Sequence, residues 1–430
     1  MAAAVAVVVG GGVLVGPGAA TAAPPGAAPP GAAAAPGAAA PSPAAPPGAA
    51  PPGPAAITLA RPTGPYLTGT TLLHLRDQRR VDPLDPAHRK RELMVQLWYP
   101  AAAAAGRPLA PYAPPAEAAG LQAQYPVPAG AFDAPTNSRL GAPVQPGRHP
   151  VVLYSHGLCG ARTDNTAAAE QLASLGYVVV ALGATHESPV AQFPGGRVEK
   201  TTEKPFCLAG GAPFTAANQA VLTRLLAVRV ADSRFVLDQL QQIRRVNPDV
   251  EHRALPRGLA RSLDTRRAGM FGHSFGGGTA AAVLRVDRRF VAGIDLDGLL
   301  VGPVATTGLR KPFLVVGSDY HDAAFDQSWA TFLPRLTGWH RWLSLDHAGH
   351  YRFMDLGGSA HQWGLDVTLK KQDPETWRQV FGDVDDALSQ EVTSRLVGSF
   401  FERFLRGRPA PILTRPTDFY PALRDRTGEI

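Results

Sequence analysis

The sequence predicts an α/β fold, with a mostly parallel central sheet and helices on both of its faces. Short, continuous apolar runs recur along the chain, the kind that strands show when both faces of a parallel sheet are covered. Amphipathic helical patterns alternate with these runs. The clearest unit is the strand HPVVLYSHG (149–157), the helix DNTAAAEQLASLG (164–176) and the strand GYVVVALGATHES (176–188). A strand, a helix and a strand in that order predict a parallel pair.

Two strands are predicted ahead of this unit, at 70–78 and 91–100, joined by a polar, proline-containing link. The Ala/Pro/Gly-rich stretch from there to about residue 148 is interpreted as irregular. After the unit, a loop is expected over 189–213 and a long helix over 214–246.

The long helix shows an apolar stripe near the 3.6-residue period, which indicates ordinary core packing. Its members are Val221, Leu225, Val228, Phe235, Leu240 and Ile243. Four charged residues lie off this stripe: Arg224, Arg229, Arg234 and Asp238.

The second half of the chain continues the alternation. Strands are predicted at 288–298, 311–321 and 339–350, with a helix at 324–336 and an amphipathic closing helix at 384–407. In a doubly wound sheet of this kind, the active-site loops lie at the carboxyl ends of the strands.

The first residues differ in composition from the rest. Residues 1–23 hold a short apolar run followed by small residues, as in a secretory signal peptide, although no Lys or Arg precedes the run. Residues 24–55 are nearly all Ala, Pro and Gly, which predicts a disordered linker. We therefore expect an exported protein whose catalytic domain spans 56–430.

Charge and cysteine content narrow the classes of partner. The net charge of +7 comes mostly from scattered Arg residues, without the basic tract or zinc-finger spacing of a nucleic-acid-binding protein. Nothing indicates a metal site. The two cysteines, Cys159 and Cys207, are expected to lie in loops, and an isolated pair in an exported protein often forms a disulfide. Two separate thiols are the alternative.

The segment MFGHSFGGG (270–278) carries the chemistry. Its Gly272-x-Ser274-x-Gly276 spacing is typical of the nucleophile elbow of α/β-hydrolases, a sharp strand-to-helix turn that exposes a serine. Such a serine needs a histidine base and a carboxylate that orients the base, in the chain order Ser, acid, His.

Both partners are available in that order. The candidate acids end the next two strands, and the candidate bases follow them; they are Asp295, Asp297, Asp319 and Asp322, then His347 and His350. The backbone N–H of Phe275, after the nucleophile, and that of Leu158, in SHGLCG (155–160), are expected to form the oxyanion hole.

The chain resembles the secreted platelet-activating factor acetylhydrolases, also called lipoprotein-associated phospholipases A2, and their bacterial relatives. The resemblance rests on LMVQLWYP, SHGLCG, SRFVLDQL, GHSFGG, GIDLDG and HYRFMD, between about residues 90 and 355. GHSFGG with SHGL also recurs among secreted bacterial lipases and polyester hydrolases.

The resemblance implies roles for individual residues. It implies that Ser274 is the nucleophile, that Asp297 in GIDLDG is the acid, and that His350 in HYRFMD is the base. Related lipases carry their acid one strand later, so Asp319 remains the alternative. Asp295 is expected to be structural. Four other histidines are expected to be surface or local structural residues: His74, His149, His186 and His321.

The function expected from this resemblance is ester hydrolysis without a cofactor or metal. The implied substrates are phospholipids with a short or oxidised acyl chain at the sn-2 position, and a transient contact with a lipid surface. A general short-chain esterase, lipase or polyester hydrolase is the alternative. A catalytically silent exported binding protein is the alternative from another class.

Overall fold

The computed structural model describes residues 56–429, except 104–105, 126 and 204–215. The predicted signal peptide (1–23) and linker (24–55) lie outside these residues, and the division into domains stays a prediction. Among the described helices, none combines the length and the apolar character that crossing a bilayer requires.

The described strands and helices follow the predicted alternation. The strands are β1 (Leu67–Val81), β2 (Lys90–Ala101), β3 (Leu109–Pro111), β4 (Pro135–Leu140), β5 (His149–Ser155), β6 (Val178–Leu182), β7 (Val190–Gln192), β8 (Val198–Lys200), β9 (Leu263–His273), β10 (Phe290–Leu296), β11 (Phe313–Ser318), β12 (His340–Leu345) and β13 (Leu423–Asp425).

The helices are α1 (Pro115–Gln124), α2 (Thr166–Ser174), α3 (Ala216–Gln242), α4 (Leu259–Ser262), α5 (Phe275–Val286), α6 (Pro303–Thr307), α7 (Gln327–Phe332), α8 (Leu365–Gln372), α9 (Pro374–Val380) and α10 (Asp386–Arg406). Two short 3₁₀ helices, His350–Phe353 and Asp355–Ser359, follow β12.

The sheet confirms the predicted fold class. Eleven of the described strands form one sheet in the order β13-β12-β11-β10-β9-β5-β6-β2-β1-β4-β3, and β7 and β8 pair as a separate hairpin. The central strands from β6 to β12 are parallel, whereas β2 runs antiparallel to β6 and β13 runs antiparallel to β12. The parallel centre brings the ends of β5, β9, β10 and β11 to one edge, where the predicted site residues lie.

Alternating side chains of the sheet enter two cores. Val151 and Leu153 of β5 pack with α3 and α5 on one face. Val152 and Tyr154 pack with α2 and α10 on the other. Because successive strand residues point to opposite faces, a continuous apolar run is what a sheet covered on both sides requires.

Two regions contain more structure than predicted. The stretch expected to be irregular up to residue 148 contains β3, α1 and β4, and the loop expected at 189–213 contains the hairpin of β7 and β8. These strands are short and lack an apolar alternation, and β4 is held by pairing with β1, distant in sequence. The helix predicted at 324–336 is shorter, since it ends at Phe332 and Pro334 lies in a following 3₁₀ turn.

Candidate active site

Ser274 lies at a strained turn between β9 and α5. Its φ of 56° is in the left-handed region, which is unfavourable for a residue with a side chain. A Cβ at Gly272 would lie 2.1 Å from the carbonyl carbon of Gly276, and one at Gly276 would lie 1.9 Å from the carbonyl oxygen of Ser155. The two glycines are therefore required by close backbone packing, as the elbow pattern predicts.

Asp297, directly after β10, is the carboxylate that contacts the candidate base. Its Oδ2 lies 2.6 Å from Nδ1 of His350. The other oxygen, Oδ1, accepts a hydrogen bond of 2.7 Å from the backbone N–H of Ser318. Asp297 also has a positive φ, 56°, so its backbone as well as its side chain is fixed in an uncommon geometry.

The alternative acids lie elsewhere. Asp319 accepts a hydrogen bond of 3.0 Å from the backbone N–H of His347, the other candidate base. Asp322 accepts from the N–H groups of Ala324 and Phe325 and so stabilises a local turn. Asp297 therefore contacts His350, whereas Asp319 and Asp322 bond other groups.

His273 connects the base to the elbow. Nε2 of His273 lies 2.9 Å from the carbonyl oxygen of His350, and the two rings are 4.6 Å apart. Burial, with the nearby His350, lowers the pKa of His273 to about 3, so the ring is neutral and donates this bond through Nε2–H. The residue preceding Ser274 therefore fixes the backbone of His350.

Two backbone N–H groups adjoin the serine. Phe275 is the first residue of α5, so its N–H has no carbonyl partner within the helix. The loop after β5 passes beside the nucleophile, because a Cβ on Gly157 would lie 3.4 Å from Cβ of Ser274. Leu158 follows Gly157 directly. Phe275 and Leu158 therefore both lie close to Ser274 along the chain or in space, and their role as the oxyanion hole stays a prediction.

Comparison with known proteins places the chain in a family. Residues 58–404 match the family described as platelet-activating factor acetylhydrolase, isoform II. The chain belongs to this family. The resemblance predicted from the sequence motifs is thereby confirmed.

Individual curated relatives are similar to the chain over part of its length. A probable 1-alkyl-2-acetylglycerophosphocholine esterase of Arthroderma benhamiae is 29% identical over 282 residues, 63% of this chain and 65% of that protein. A platelet-activating factor acetylhydrolase of Cavia porcellus is 22% identical over 286 residues, 62% of this chain and 60% of that protein. The chain therefore spans less than two thirds of the length of these curated relatives.

The solved structure of a ferulic acid esterase from Streptomyces cinnamoneus is similar over a larger share. It is 35% identical, with a TM-score of 0.71, and the match covers 85% of this chain and 98% of that one.

In this acetylhydrolase-family chain, an ion pair that the sequence analysis missed holds the loop after β5, which carries Leu158. Arg229 of α3 and Glu187 form a buried salt bridge. Nη2 of Arg229 donates to the carbonyl oxygen of Gly157 at 2.9 Å, and Nη1 donates to that of His156. Glu187 in turn accepts from the N–H of Cys159 at 3.3 Å.

The ion pair fixes the direction of the Leu158 N–H. The carbonyl of Gly157 and the N–H of Leu158 belong to one peptide group, and in a trans peptide they point in opposite directions. A carbonyl held toward Arg229 therefore turns the N–H away from α3. Arg229 lies off the apolar stripe of its helix, so periodicity predicts a solvent-facing position and gives no sign of this contact.

The H-x-x-F-x-D spacing after His350 also has a structural reason. Phe353 is completely buried in the core that α2 and α10 form. Asp355 accepts hydrogen bonds from the first N–H groups of α2, 2.7 Å from Thr166 and 3.1 Å from Ala167. The motif thus anchors the segment of the base at two points, one apolar and one at a helix N-terminus.

The surroundings of the remaining candidate residues indicate structural roles. Asp295 is buried against Gly277 and Gly298, and burial raises the pKa of its carboxyl well above the ordinary value. The histidines expected at the surface or in local structure are all buried, and each has a hydrogen-bond partner: His74, His149, His186 and His321. The predicted bridge from Cys159 ends at Cys207, which lies outside the described residues, so it stays a prediction.

Proposed function

We propose that this protein is an exported serine ester hydrolase that cleaves short or oxidised sn-2 acyl groups from phospholipids. One observation carries the proposal. His350 is bonded to Asp297 through Nδ1 at 2.6 Å, and its backbone is fixed by the residue next to a serine at positive φ. A strained serine, an oriented imidazole and a buried carboxylate form the machinery for acyl transfer.

The reaction follows from these positions. Because Asp297 occupies Nδ1, His350 receives the Ser274 proton at Nε2 while Oγ attacks the ester carbonyl carbon. The N–H groups of Phe275 and Leu158 stabilise the oxyanion that forms, and one such donor contributes about 3 kcal/mol. The carbon–oxygen bond to the alcohol breaks, and the alcohol leaves with the proton from His350. Water then attacks the acyl-enzyme while His350 again accepts a proton; the bond from the acyl carbon to Oγ of Ser274 breaks, His350 returns the proton to Oγ, and the acid is released.

The names of the relatives support two substrate classes. The curated relatives are named for platelet-activating factor and 1-alkyl-2-acetylglycerophosphocholine, which are short-acyl phospholipids. The solved neighbour is named for an ester of an aromatic acid, and this chain covers nearly all of it. A general esterase, lipase or polyester hydrolase acting on such esters is therefore the second candidate.

Substrate comparison tests the proposal. We expect hydrolysis of p-nitrophenyl acetate and of a 2-acetyl phospholipid, and slow hydrolysis of a long-chain triglyceride. Hydrolysis of p-nitrophenyl acetate and methyl ferulate, with no release of acetate from the phospholipid, would favour the second candidate.

A fluorophosphonate probe tests whether the protein is an enzyme at all. The wild type is expected to be labelled, and Ser274→Ala to be unlabelled while retaining its circular dichroism spectrum. A wild type without labelling or ester hydrolysis would support the silent binding protein instead.

Export is part of the proposal and needs its own experiment. The apolar run and small residues within 1–23 support it. Full-length chain expressed in a secreting bacterial host should appear in the medium, with its N-terminus near residue 24 by mass spectrometry. Retention in the cell with residues 1–23 intact would contradict export.

A further inference from the structure

Asp297 holds a second imidazole besides that of His350. Its Oδ2 bonds His350, while its Oδ1 lies 3.1 Å from Nδ1 of His321. Ser318 completes the shell of the carboxylate with its backbone N–H and its hydroxyl. The family machinery described above uses one histidine on this carboxylate, so His321 is a group whose role is unassigned.

His321 is held at both ring nitrogens and on one ring face. Its Nε2 lies 3.0 Å from Oδ2 of Asp326, the residue that caps α7. Its ring stacks on Trp329 at 4.1 Å, with 15° between the planes. The Nε1–H of Trp329 donates to the carbonyl of Gly298, directly after Asp297, at 2.6 Å. The rings of His321 and Trp329 therefore connect the loop after β10, which carries Asp297, to α7.

The partners of His321 determine its charge. A carboxylate accepts hydrogen bonds, so an imidazole between two carboxylates satisfies both only when both ring nitrogens carry hydrogen, which is the cationic form. Burial alone would lower the pKa of His321, but Asp297 and Asp326 outweigh burial and raise the pKa to about 10.

The other titratable groups near the ring belong to the same cluster. Burial raises the pKa of Asp295 of β10 well above its ordinary value, and burial and the charge of Asp297 raise the pKa of Tyr320. His350 contacts the other oxygen of Asp297, and the neutral ring of His273 lies 4.6 Å from the ring of His350. Asp297 thus joins the catalytic imidazole of His350 to the imidazole of His321, whose other nitrogen contacts Asp326.

We propose that His321 is a positioning residue: a permanent imidazolium that shares Asp297 with His350 and keeps His350 unprotonated down to a lower pH. The inference rests on the proposed function. A positive charge on the shared carboxylate offsets the negative charge that would otherwise favour a protonated His350. Since only the neutral ring accepts the serine proton, the cation extends the working range of the base toward acid.

The variant His321→Gln tests this, because the amide still donates to Asp297 but carries no charge. The acid limb of the pH profile of kcat/KM is expected to move up by about one pH unit, with a plateau within about tenfold of the wild type. Asp326→Asn should not raise the acid limb, because Asp297 still holds His321 charged and the lost group is a negative charge, whose removal favours the neutral form of His350.

The chain offers a matched control. His74 on β1 is also buried between two carboxylates, Glu251 and Glu92, with a raised pKa, and four strands separate β1 from β10. His74→Gln should leave the acid limb unchanged. An equal shift in this control, an unmoved limb in His321→Gln, or a loss that is uniform across pH would overturn the proposal.

A measurement independent of turnover separates this inference from the proposed function. Nitrogen-15 NMR of histidine rings in the full-length protein should show His321 doubly protonated at pH 8, and a neutral ring would overturn the proposal. If the wild type hydrolyses no ester, the proposed function fails. The protonation midpoint of the His350 ring, expected to rise in His321→Gln, then still decides the inference.

Discussion

Asp297 and Asp355 are both buried aspartates, yet the pKa of Asp297 is shifted down and that of Asp355 is shifted up. Burial alone would raise the pKa of Asp297, but the charge of His321 and the hydrogen bonds of His321 and His350 keep it well below the ordinary value. Burial raises the pKa of Asp355 well above the ordinary value, and the N–H groups of Ala167 and Thr166 only partly oppose this.

The difference lies in the neighbours. Asp297 has two imidazoles, whereas Asp355 has two backbone N–H groups, the hydroxyl of Tyr112, and the nearby carboxyls of Asp164 and Glu170. Burial penalises the charged form of both carboxyls, so the presence of a cation decides the direction in which each pKa shifts. The comparison predicts that changing Asp297 greatly slows hydrolysis, whereas changing the cluster around Asp355 alters stability.

The largest expected effect is that of Asp297→Asn. The amide cannot stabilise the imidazolium of His350 and favours the wrong tautomer, so kcat should fall about 10³- to 10⁴-fold. The assay is hydrolysis of p-nitrophenyl acetate, with circular dichroism to confirm folding. Asp319→Asn is the matched control and should stay within a few-fold of the wild type. A larger loss in Asp319→Asn would make Asp319 the acid.

The next largest effect is expected from breaking the ion pair of Arg229 and Glu187, which holds the loop that carries Leu158. Arg229→Met frees the Gly157 carbonyl and thus the direction of the Leu158 N–H, and kcat should fall about 10²-fold. The single variant also leaves Glu187 buried without its cation, which destabilises the fold.

The double variant Arg229→Met with Glu187→Gln separates these two effects. It should recover thermal stability but not kcat, because neither partner then holds the loop. Arg234→Met on the same helix, whose side chain is about half exposed, serves as the control and should change neither quantity. Recovery of kcat by the double variant would refute the positioning role of Arg229.

A smaller effect is expected from Asp355→Ala. The variant leaves the N–H groups of Thr166 and Ala167 buried without a partner, so the free energy of unfolding should fall by about 2–3 kcal/mol. Urea titration measures it, and Asp355→Asn, which retains an acceptor, should lose less. Equal losses in the two variants would mean that the helix cap is unimportant.

The smallest effect is a change in the pH dependence of stability. Burial raises the pKa of Asp164 to about 7, above its value in the unfolded chain. The folded state then binds more protons between about pH 4 and 7, so this group's contribution to stability is present at low pH and is lost as the pH rises to 7.

Asp164→Asn removes the titrating group. Stability measured by urea titration at pH 5 and at pH 8 should then differ by about 2 kcal/mol less than in the wild type. An unchanged difference would show that Asp164 is ionised in the folded protein throughout this range.

Local sequence signals predicted much of this site. The elbow glycines were visible because a close backbone approach excludes any side chain, and the buried strands because apolar runs are required on both faces of the sheet. The choice of Asp297 over Asp319 came from family resemblance, since both aspartates end parallel strands. The short strands β3, β4, β7 and β8 lacked such a signal, because they have no run of apolar residues facing a core.

By itself, the sequence determined the alternation of strands and helices, the elbow, and the chain order of nucleophile, acid and base. Only the tertiary structure decided which aspartate meets His350, that Arg229 is buried, and that His321 shares the acid. The physical reason is that these contacts join residues distant along the chain, 53 positions apart for His350 and Asp297 and 72 for Arg229 and Gly157. Periodicity reports which face of an element is buried, whereas the partner of a buried charge depends on how separate elements pack together.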